Sequence, residues 1–394
     1  MLYFEGNPLP VRAGDTVAAT LLKAGVKIFS RSVKYHRPRG PYCFAAACSN
    51  CLMRIDGVPS VMSCRKAARD QMQVERQNGF PRVDQDWVAA TNLVFPNGFN
   101  HHTFLAGTPV LGRAMQVIAR QLSGVGKLPD APPAQGPEGK CIKSPVAVVG
   151  SHPAAFAAAE RLTNLGVPFL HLNQEEIIGF YPSNGSSTSM PVLMAVTADD
   201  TGQEFPPLLR PQLLRIEAQA FILAQTGCIP LPVFENNDLP GIFTEEAISS
   251  LSSQSEFVPG KRFFLIGDPS RFTVVQNILE HHRAQVVGSL AFTPDFDRRQ
   301  FKAIGRSGLR AVSFTETIHQ KTSTVPCDAL VIARAPEPAF QLAHQAGAAV
   351  RLNTAGSFEV DTDSTGRTSR AGIWCAADQA TGRLAAAELS RELP

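Results

Sequence analysis

The sequence has neither the concentrated positive charge nor the long apolar runs that nucleic-acid binding or membrane insertion requires. Its 37 Lys and Arg residues nearly balance 34 Asp and Glu residues, so the net charge is only +3. Nucleic acid and anionic membranes both need a concentrated basic patch. Apolar runs such as "AAFAAAERL" are interrupted far short of the ~20 residues that a membrane-spanning helix needs. We therefore expect no nucleic-acid partner and no membrane span.

A secretory signal is also absent from the first residues. The stretch "MLYFEGNPLPVRAGD" has neither a charged n-region nor an apolar h-region. Hydrophobic residues make up 44% and charged residues 18% of the chain, which is an ordinary globular mixture. A chain of 394 residues is long enough for two or three domains. The expectation is a cytoplasmic protein of several domains.

Cysteine is scarce, and half of it is concentrated in one stretch. Four single cysteines are scattered along the chain, namely Cys141, Cys228, Cys327 and Cys375. The other four lie in "YCFAAACSNCLMRIDGVPSVMSC", at Cys43, Cys48, Cys51 and Cys64. In a reducing cytosol, such a group favours metal ligands over disulfides.

The spacing within this stretch favours one kind of metal centre. Cys-x4-Cys-x2-Cys with a later fourth cysteine is the pattern of plant-type [2Fe–2S] ferredoxins. A structural zinc site usually presents two Cys-x2-Cys pairs, and only one such pair is present. The spacing therefore predicts that Cys43, Cys48, Cys51 and Cys64 hold a [2Fe–2S] cluster. Zinc, a disulfide and inert thiols remain the alternatives.

Glycine is missing from the loop between the first two of these cysteines. The loop reads "FAAA", from Phe44 to Ala47. A loop that curls closely around a cluster often needs torsions that glycine adopts most easily. This absence counts against the cluster, and alanine is the least bulky residue that can stand in for glycine.

The order of sequence patterns predicts an α+β part followed by an α/β part. The first eighty residues indicate a hairpin with Gly6-Asn7 near its turn, and a helix in "GDTVAATLLKAGV" with Asp15 as N-cap and Gly25 as stop. The Pro- and Gly-rich "PDAPPAQGPEG" (129–139) is a linker. From "PVAVVG" onward, apolar strands alternate with helices, as in a parallel sheet with crossovers.

Three stretches of the N-terminal part carry a family resemblance: "RSVKYHRPRG", "CLMRIDGVPSVMSC" and "VERQNGFP". They resemble the α subunits of heteromeric amine and amino-acid oxidoreductases, a group that includes sarcosine oxidase, opine oxidase, hydrogen cyanide synthase and dye-linked proline dehydrogenase. "GFNHHTF", "FENNDLPGIFTEEAISSL" and "DSTGRTSRAGIWCAAD" extend the resemblance over nearly the whole chain. The chain is similar to the family members that carry a [2Fe–2S] cluster.

The resemblance implies a domain plan. A β-grasp ferredoxin-like domain would occupy residues 1–82, and a connecting segment with the linker would occupy 83–139. A disulfide-reductase-like body of two Rossmann-type units would follow. The first, FAD-type unit would comprise 140–258 and 332–394, with the second, NAD-type unit inserted at 259–331.

Both expected nucleotide sites depart from the G-x-G-x-x-G fingerprint, whose glycines admit the diphosphate. The first site keeps Gly150 but has His152 where the second glycine belongs. The acidic residue expected after the next strand falls at Asn173. The second site keeps Gly267 but has Pro269 and Phe272 where small residues belong.

One further nucleotide contact is implied by the resemblance. Asp378 matches the family's flavin-contacting Asp, although Ala377 replaces the preceding glycine. Gly150 and Asp378 are therefore the candidate cofactor-binding residues. Two interpretations remain: the body binds FAD or NAD, or it is a Rossmann-like scaffold that has lost nucleotide binding. The departures from the fingerprint favour the second.

Basic and histidine-rich stretches complete the candidates. "KYHRPRG" predicts either a solvated basic loop or a docking surface for an acidic partner or a flavin phosphate. His101-His102 and His281-His282 are adjacent pairs, and neighbours on a strand point to opposite faces, so packing is favoured over metal binding.

No catalytic Ser/His/Asp or Cys/His constellation stands out, which is typical of an electron carrier. The leading hypothesis is a [2Fe–2S] electron-transfer α-type subunit of a heteromeric flavin-dependent amino-acid or amine dehydrogenase or oxidase, acting on a sarcosine-, proline- or opine-like substrate. The resemblance implies a flavoprotein catalytic partner like the sarcosine oxidase β subunit, and a further small subunit. A non-catalytic assembly scaffold and a free-standing FAD/NAD(P)H oxidoreductase are the alternatives.

Overall fold

The protein's structure is a computed structural model, and it describes residues 1–90, 139–172, 177–181, 190–197, 212–225, 227–292, 301–315, 321–354 and 356–393. It divides into two compact units. The first combines Met1–Pro132 with Leu231–Ala335, and the second combines Pro133–Pro230 with Pro336–Pro394. His101, His102, Asn173 and nearly all of the predicted linker lie outside the described residues.

The N-terminal part of the first unit is a five-stranded sheet with one helix. Its elements are β1 Leu2–Phe4, β2 Asn7–Leu9, α1 Val17–Lys23, β3 Ser30–Arg31, β4 Pro38–Arg39, β5 Leu52–Ile55, β6 Val58–Met62 and β7 Gln73–Glu75. The strand order is β2-β1-β7-β5-β6, and β1 pairs parallel with β7. This is the predicted β-grasp ferredoxin-like domain, and the β1–β2 hairpin is confirmed.

Helix α1 begins one residue later than the sequence predicts. Thr16, and not Asp15, is the N-cap, because the Thr16 side chain accepts a hydrogen bond from the Ala19 backbone N–H at 3.2 Å. Asp15 is instead buried, and its carboxylate accepts from Lys23 Nζ at 2.6 Å. The predicted stop is confirmed, since Gly25 has a φ of +81° just after the helix.

The second unit opens with a strand–helix–strand segment. Its elements are β8 Gly139–Val149, α2 Pro153–Asn164, β9 Phe169–Leu172, β10 Ile177–Tyr181, β11 Val192–Thr197 and β12 Gln212–Leu223. The sheet order is β10-β11-β12-β8-β9, in which β8 pairs parallel with both β9 and β12. The apolar run Val146 to Val149 is fully buried at the end of β8, as a parallel strand covered on both faces requires.

The chain then returns to the first unit with a second parallel sheet. This segment comprises β13 Ile242–Thr244, α3 Glu245–Ser255, β14 Arg262–Gly267, α4 Pro269–His281, β15 Gln285–Ala291, β16 Phe301–Gly305, β17 Leu309–Thr315, β18 Thr322–Pro326 and β19 Ala329–Ala333. The parallel sheet has the order β13-β19-β14-β15, and β16, β17 and β18 form a separate antiparallel sheet.

The last elements complete the second unit. They are α5 Gln341–Gln345, β20 Val350–Leu352, β21 Phe358–Val360, β22 Ile373–Cys375 and α6 Gln379–Glu392. Strand β22 pairs parallel with β12, so the sheet that began at β8 is finished only after the intervening segment. The predicted fold class, an N-terminal β-grasp ferredoxin-like domain followed by a disulfide-reductase-like α/β body of two Rossmann-type units, is confirmed. The insertion of the second unit at 259–331 stays a prediction. None of the helices in the described ranges has the length and apolarity that crossing a membrane requires.

Candidate metal centre

The hairpin of β5 and β6 brings two of the four clustered cysteines together. Cys51 precedes β5, and Cys64 follows β6 after Ser63. The two strands pair antiparallel with Leu52 opposite Met62, so their outer ends are adjacent. The Ser63 backbone N–H and hydroxyl both donate to the Cys51 carbonyl, at 3.2 Å and 2.6 Å. Cys43 and Cys48 lie on the loop that leads into this hairpin.

The four thiols form two close pairs. The Sγ atoms of Cys43 and Cys48 are 3.3 Å apart, and the Cys51 and Cys64 thiols are hydrogen-bonded to each other. Cys43, Cys51 and Cys64 are buried, whereas Cys48 is partly exposed.

This pairing fits a two-iron centre better than a single metal ion. Within the described residues, no three His, Cys, Asp or Glu side chains are arranged to hold one metal ion. A tetrahedral zinc site would need four ligands around one point. A [2Fe–2S] cluster instead takes two protein ligands on each iron, which is the arrangement that two thiol pairs offer.

Hydrogen bonds favour the thiolate form of one cysteine in each pair. The hydrogen bond from Cys48, together with the Ala45 and Ala47 backbone N–H groups, lowers the pKa of Cys43 to about 6. The hydrogen bond from Cys64 lowers the pKa of Cys51. The same pairing raises the pKa of Cys48 and of Cys64 above the ordinary thiol value. Because thiolates are the metal ligands, the site has two sulfurs prepared for ligation.

The loop around Cys43 adopts glycine-like torsions without glycine. Phe44 has a φ of +50° and Ala46 a φ of +56°, both in the left-handed region. Such torsions cost roughly 1–2 kcal/mol for a residue that carries a Cβ. Phe44 is buried in the core of the first unit, and this burial offsets the cost. The missing glycine therefore does not prevent the loop from curling.

The basic loop ahead of the cysteines makes contacts within the first unit. Arg37 and Arg39 both face Asp238, with N–O distances of 3.3 Å and 3.5 Å. His36 is buried, and its Nδ1 lies 2.8 Å from the Asp86 carboxylate. The loop is thus neither wholly solvated nor wholly free for a partner.

The described histidine pair lies at the end of α4. The rings of His281 and His282 are 5.2 Å apart, and His282 Nε2 is 2.8 Å from the Ser252 hydroxyl. This contact packs α4 against α3.

At the first nucleotide-type helix start, a side chain lies where the diphosphate belongs. His152 is the N-cap of α2, and its Nδ1 accepts from the Ala154 backbone N–H at 3.3 Å. Gly150 has a φ of +136°, and a Cβ there would lie 1.9 Å from the Ala224 carbonyl oxygen. The glycine is therefore required by the contact of β8 with the end of β12, whatever the site binds.

The second helix start has the same arrangement with an acidic cap. Asp268 is the N-cap of α4 and accepts from the Ser270 backbone N–H and hydroxyl at 3.0 Å and 2.8 Å. These bonds lower the pKa of Asp268, so a negative charge lies where a diphosphate would bind. At both helix starts, a side chain of the protein itself caps an N–H group that a dinucleotide diphosphate would otherwise contact.

Asp378 is also engaged within the protein. It is the N-cap of α6, where its carboxylate accepts from the Thr381 backbone N–H at 2.8 Å in a capping box. These bonds to Thr381 lower the pKa of Asp378. The roles of Gly150 and Asp378 in binding a cofactor stay predictions.

A cavity of about 420 Å³ lies at the carboxyl ends of β8, β12 and β22. Its polar lining includes His152, Gln225, Glu337, Arg351 and Glu359. Arg351 is already paired with Glu359 at 2.9 Å, so the lining offers little free positive charge for a phosphate. Sequence reasoning found only His152 here, because the other residues come from separate loops without a shared motif.

Comparison with known proteins agrees with this geometry. A family model described as a 2Fe-2S iron-sulfur cluster binding domain matches residues 1–79. Sarcosine oxidase subunit alpha from Rhizobium meliloti (strain 1021) is 25% identical over 402 residues, covering 87% of this chain and 40% of that protein. Hydrogen cyanide synthase subunit HcnA from Pseudomonas aeruginosa is 31% identical over 85 residues, covering 22% of this chain and 79% of the relative.

Among solved structures, L-proline dehydrogenase from P. horikoshii is similar in fold. Its TM-score is 0.67 at 17% identity, with 99% of this chain and 73% of that chain covered. The fold and the cysteine loop together define a protein with an N-terminal domain of the 2Fe-2S iron-sulfur cluster binding class. The chain belongs to the family of α-type subunits that includes sarcosine oxidase subunit alpha and HcnA. It spans 40% of the length of that sarcosine oxidase subunit.

Proposed function

We propose that Cys43, Cys48, Cys51 and Cys64 hold a [2Fe–2S] cluster, and that the chain is the electron-transfer subunit of a heteromeric flavin-dependent amine or amino-acid dehydrogenase or oxidase. The observation that carries this proposal is the arrangement of the four thiols as two close pairs within a domain of the cluster-binding type. A sarcosine-, proline- or opine-like molecule is the proposed substrate class.

The residues of this chain bind and shield the cluster. The buried sulfurs of Cys43, Cys51 and Cys64 face the interior, and loop N–H groups donate to the sulfurs. The loop residues Ala45, Ala47 and Ser49 are exposed and uncharged, so a redox partner can approach next to Cys48. When bound, a [2Fe–2S] cluster supplies one-electron transfer, whereas a flavin accepts the two electrons of a C–N bond oxidation.

The substrate chemistry is assigned to a partner subunit. Two relatives are named as subunits, which supports a heteromeric assembly. The proposed partner is a flavoprotein like the sarcosine oxidase β subunit, with a further small subunit in the complex. A cytoplasmic location is part of the proposal, because free thiols persist in a reducing compartment.

An assembly scaffold is the second candidate function. The self-capped helix starts at His152 and Asp268 support it, because both nucleotide-type units then serve only as structure. The same observation disfavours a free-standing FAD/NAD(P)H oxidoreductase.

The test is to purify the native complex without oxygen and measure iron, acid-labile sulfide and the EPR signal after reduction. We expect two iron and two sulfide per chain, as the formula of the cluster requires. Cys64→Ser should abolish the signal, whereas Cys141→Ser changes an exposed single cysteine and should preserve it. An iron-free or zinc-loaded protein would refute the proposal. Full activity after all four cysteines are changed to serine would favour the scaffold.

A further inference from the structure

The first turn of α3 is attached to the cysteine loop. The Thr244 backbone N–H donates to the Tyr42 carbonyl oxygen at 3.0 Å, and Tyr42 immediately precedes Cys43. Thr244 is also the N-cap of α3, because its hydroxyl accepts from the Ala247 N–H at 3.1 Å. Thr244 is fully buried, so this attachment is an internal one.

The segment Leu231–Ala335 and the cysteine-bearing domain share one hydrophobic core. That core joins Phe44, Cys51 and Cys64 with Phe243 and Ala247. Beside this core, the two parts of the chain also approach each other closely, since a Cβ on Gly40 would lie 3.0 Å from the Cβ of Pro240. The start of α3 therefore packs against the part of the chain that carries the four cysteines.

Two acidic residues open α3, and they have different surroundings. Glu245 is buried and accepts two hydrogen bonds from Arg271, at 2.7 Å and 2.8 Å, so its charge is compensated. Glu246 is half-buried, and among the described residues no hydrogen bond or ion pair of its side chain occurs. Burial first, and then the negative charge of Cys43, raises the pKa of Glu246. The bond from Thr244 to Tyr42 places this first turn of α3, and Glu246 with it, next to the loop that begins at Cys43.

We propose that Glu246, which the first turn of α3 places beside the Cys43 side of the site, lowers the reduction potential of the cluster. Reduction adds one negative charge, and a nearby carboxylate in a partly buried position opposes that charge with little solvent screening. The segment Leu231–Ala335, to which α3 belongs, then tunes electron transfer through Glu246. This inference rests on the proposed cluster.

The test is a redox titration of the intact complex, followed by EPR, at a mildly alkaline pH where the carboxylate is ionised. Glu246→Gln should raise the reduction potential of the cluster by about 59 mV. For one electron, this is an about tenfold higher ratio of reduced to oxidised cluster at a given ambient potential. Glu246→Ala should produce an increase of the same sign. Glu246→Asp retains the charge and should stay near the wild-type potential.

Glu280→Gln is the matched control, because it removes the same charge from an exposed position on α4. Its potential should equal that of the wild type. A Glu246→Gln protein with a full cluster and an unchanged potential would overturn the inference and leave the proposed function intact. Loss of the cluster in both Glu246→Gln and Glu246→Ala would show a structural role and also overturn it. A wild-type protein without iron or EPR signal would refute the proposed function itself.

Discussion

The two thiols of each cysteine pair differ in how readily they lose a proton. Within the first pair, the hydrogen bond from Cys48 is the main reason that the pKa of Cys43 is about 6. Burial raises the pKa of two of the scattered thiols, that of Cys327 to about 11 and that of Cys375 to about 12. Thiolate character therefore distinguishes Cys43 and Cys51 from Cys327 and Cys375.

This difference predicts a titration in the reduced, cluster-free protein. Since the pKa of Cys43 is lowered, its thiolate is present above pH 6 and is lost as the pH falls through about 6. Ultraviolet thiolate absorbance should follow that change. Cys48→Ala removes the main cause and should move the transition to higher pH, whereas Cys141→Ser should leave it in place. An unchanged transition in Cys48→Ala would contradict the assigned hydrogen bond.

A second residue-scale prediction concerns the loop torsions. Ala46 has a φ of +56°, which glycine adopts without strain. Ala46→Gly should therefore stabilise the protein by about 1 kcal/mol. Thermal loss of the cluster's visible absorbance measures the effect. Ala47→Gly changes the neighbouring alanine, which is outside the left-handed region, and should destabilise the protein instead, because glycine gives the unfolded chain more conformational freedom. Equal effects of the two substitutions would argue against the loop conformation.

At the scale of elements, the two nucleotide-type helices begin in the same way. Each follows a glycine at or just after the end of a strand, takes an N-cap from its own chain, and has proline in its first turn. The caps are His152 and Asp268. Helix starts that bind phosphates leave their N–H groups for the ligand, so these caps replace the ligand's contacts.

The cap at Asp268 can be tested by a pair of substitutions. Asp268→Ala removes the acceptor and should lower the urea midpoint of unfolding, whereas Asp268→Asn keeps a good cap and should preserve it. The FAD and NAD content of the purified protein should be the same in both variants. A fall in nucleotide content in either variant would show that Asp268 supports a nucleotide rather than replacing one.

Element boundaries and spacing were predictable where the signal was local. The spacing of four cysteines predicted that their thiols lie near one another, and Gly25 predicted the end of α1. Both features depend only on residues that are close in sequence. Asp15 failed as an N-cap because an ion pair with Lys23 holds its buried carboxylate elsewhere. The role of His152 as a cap was not predicted, although its position was identified as an obstacle to a diphosphate.

At the scale of the whole molecule, the cysteine-bearing domain and the segment Leu231–Ala335 form a single unit. The bond from Thr244 to Tyr42 and the shared core of Phe44 with Phe243 join parts of the chain that are far apart in sequence. No local pattern encodes such contacts, which is why the sequence predicted two separate domains there. The predicted boundaries of these domains stay a prediction.

The central claim is that the four cysteines hold two irons bridged by sulfide. Iron X-ray absorption of the anaerobically purified protein tests it most directly, because it detects both the neighbours of each iron and a second iron nearby. The account predicts sulfur neighbours around iron together with a clear iron–iron scattering component. Iron with sulfur neighbours but no second iron, or zinc in place of iron, would contradict it.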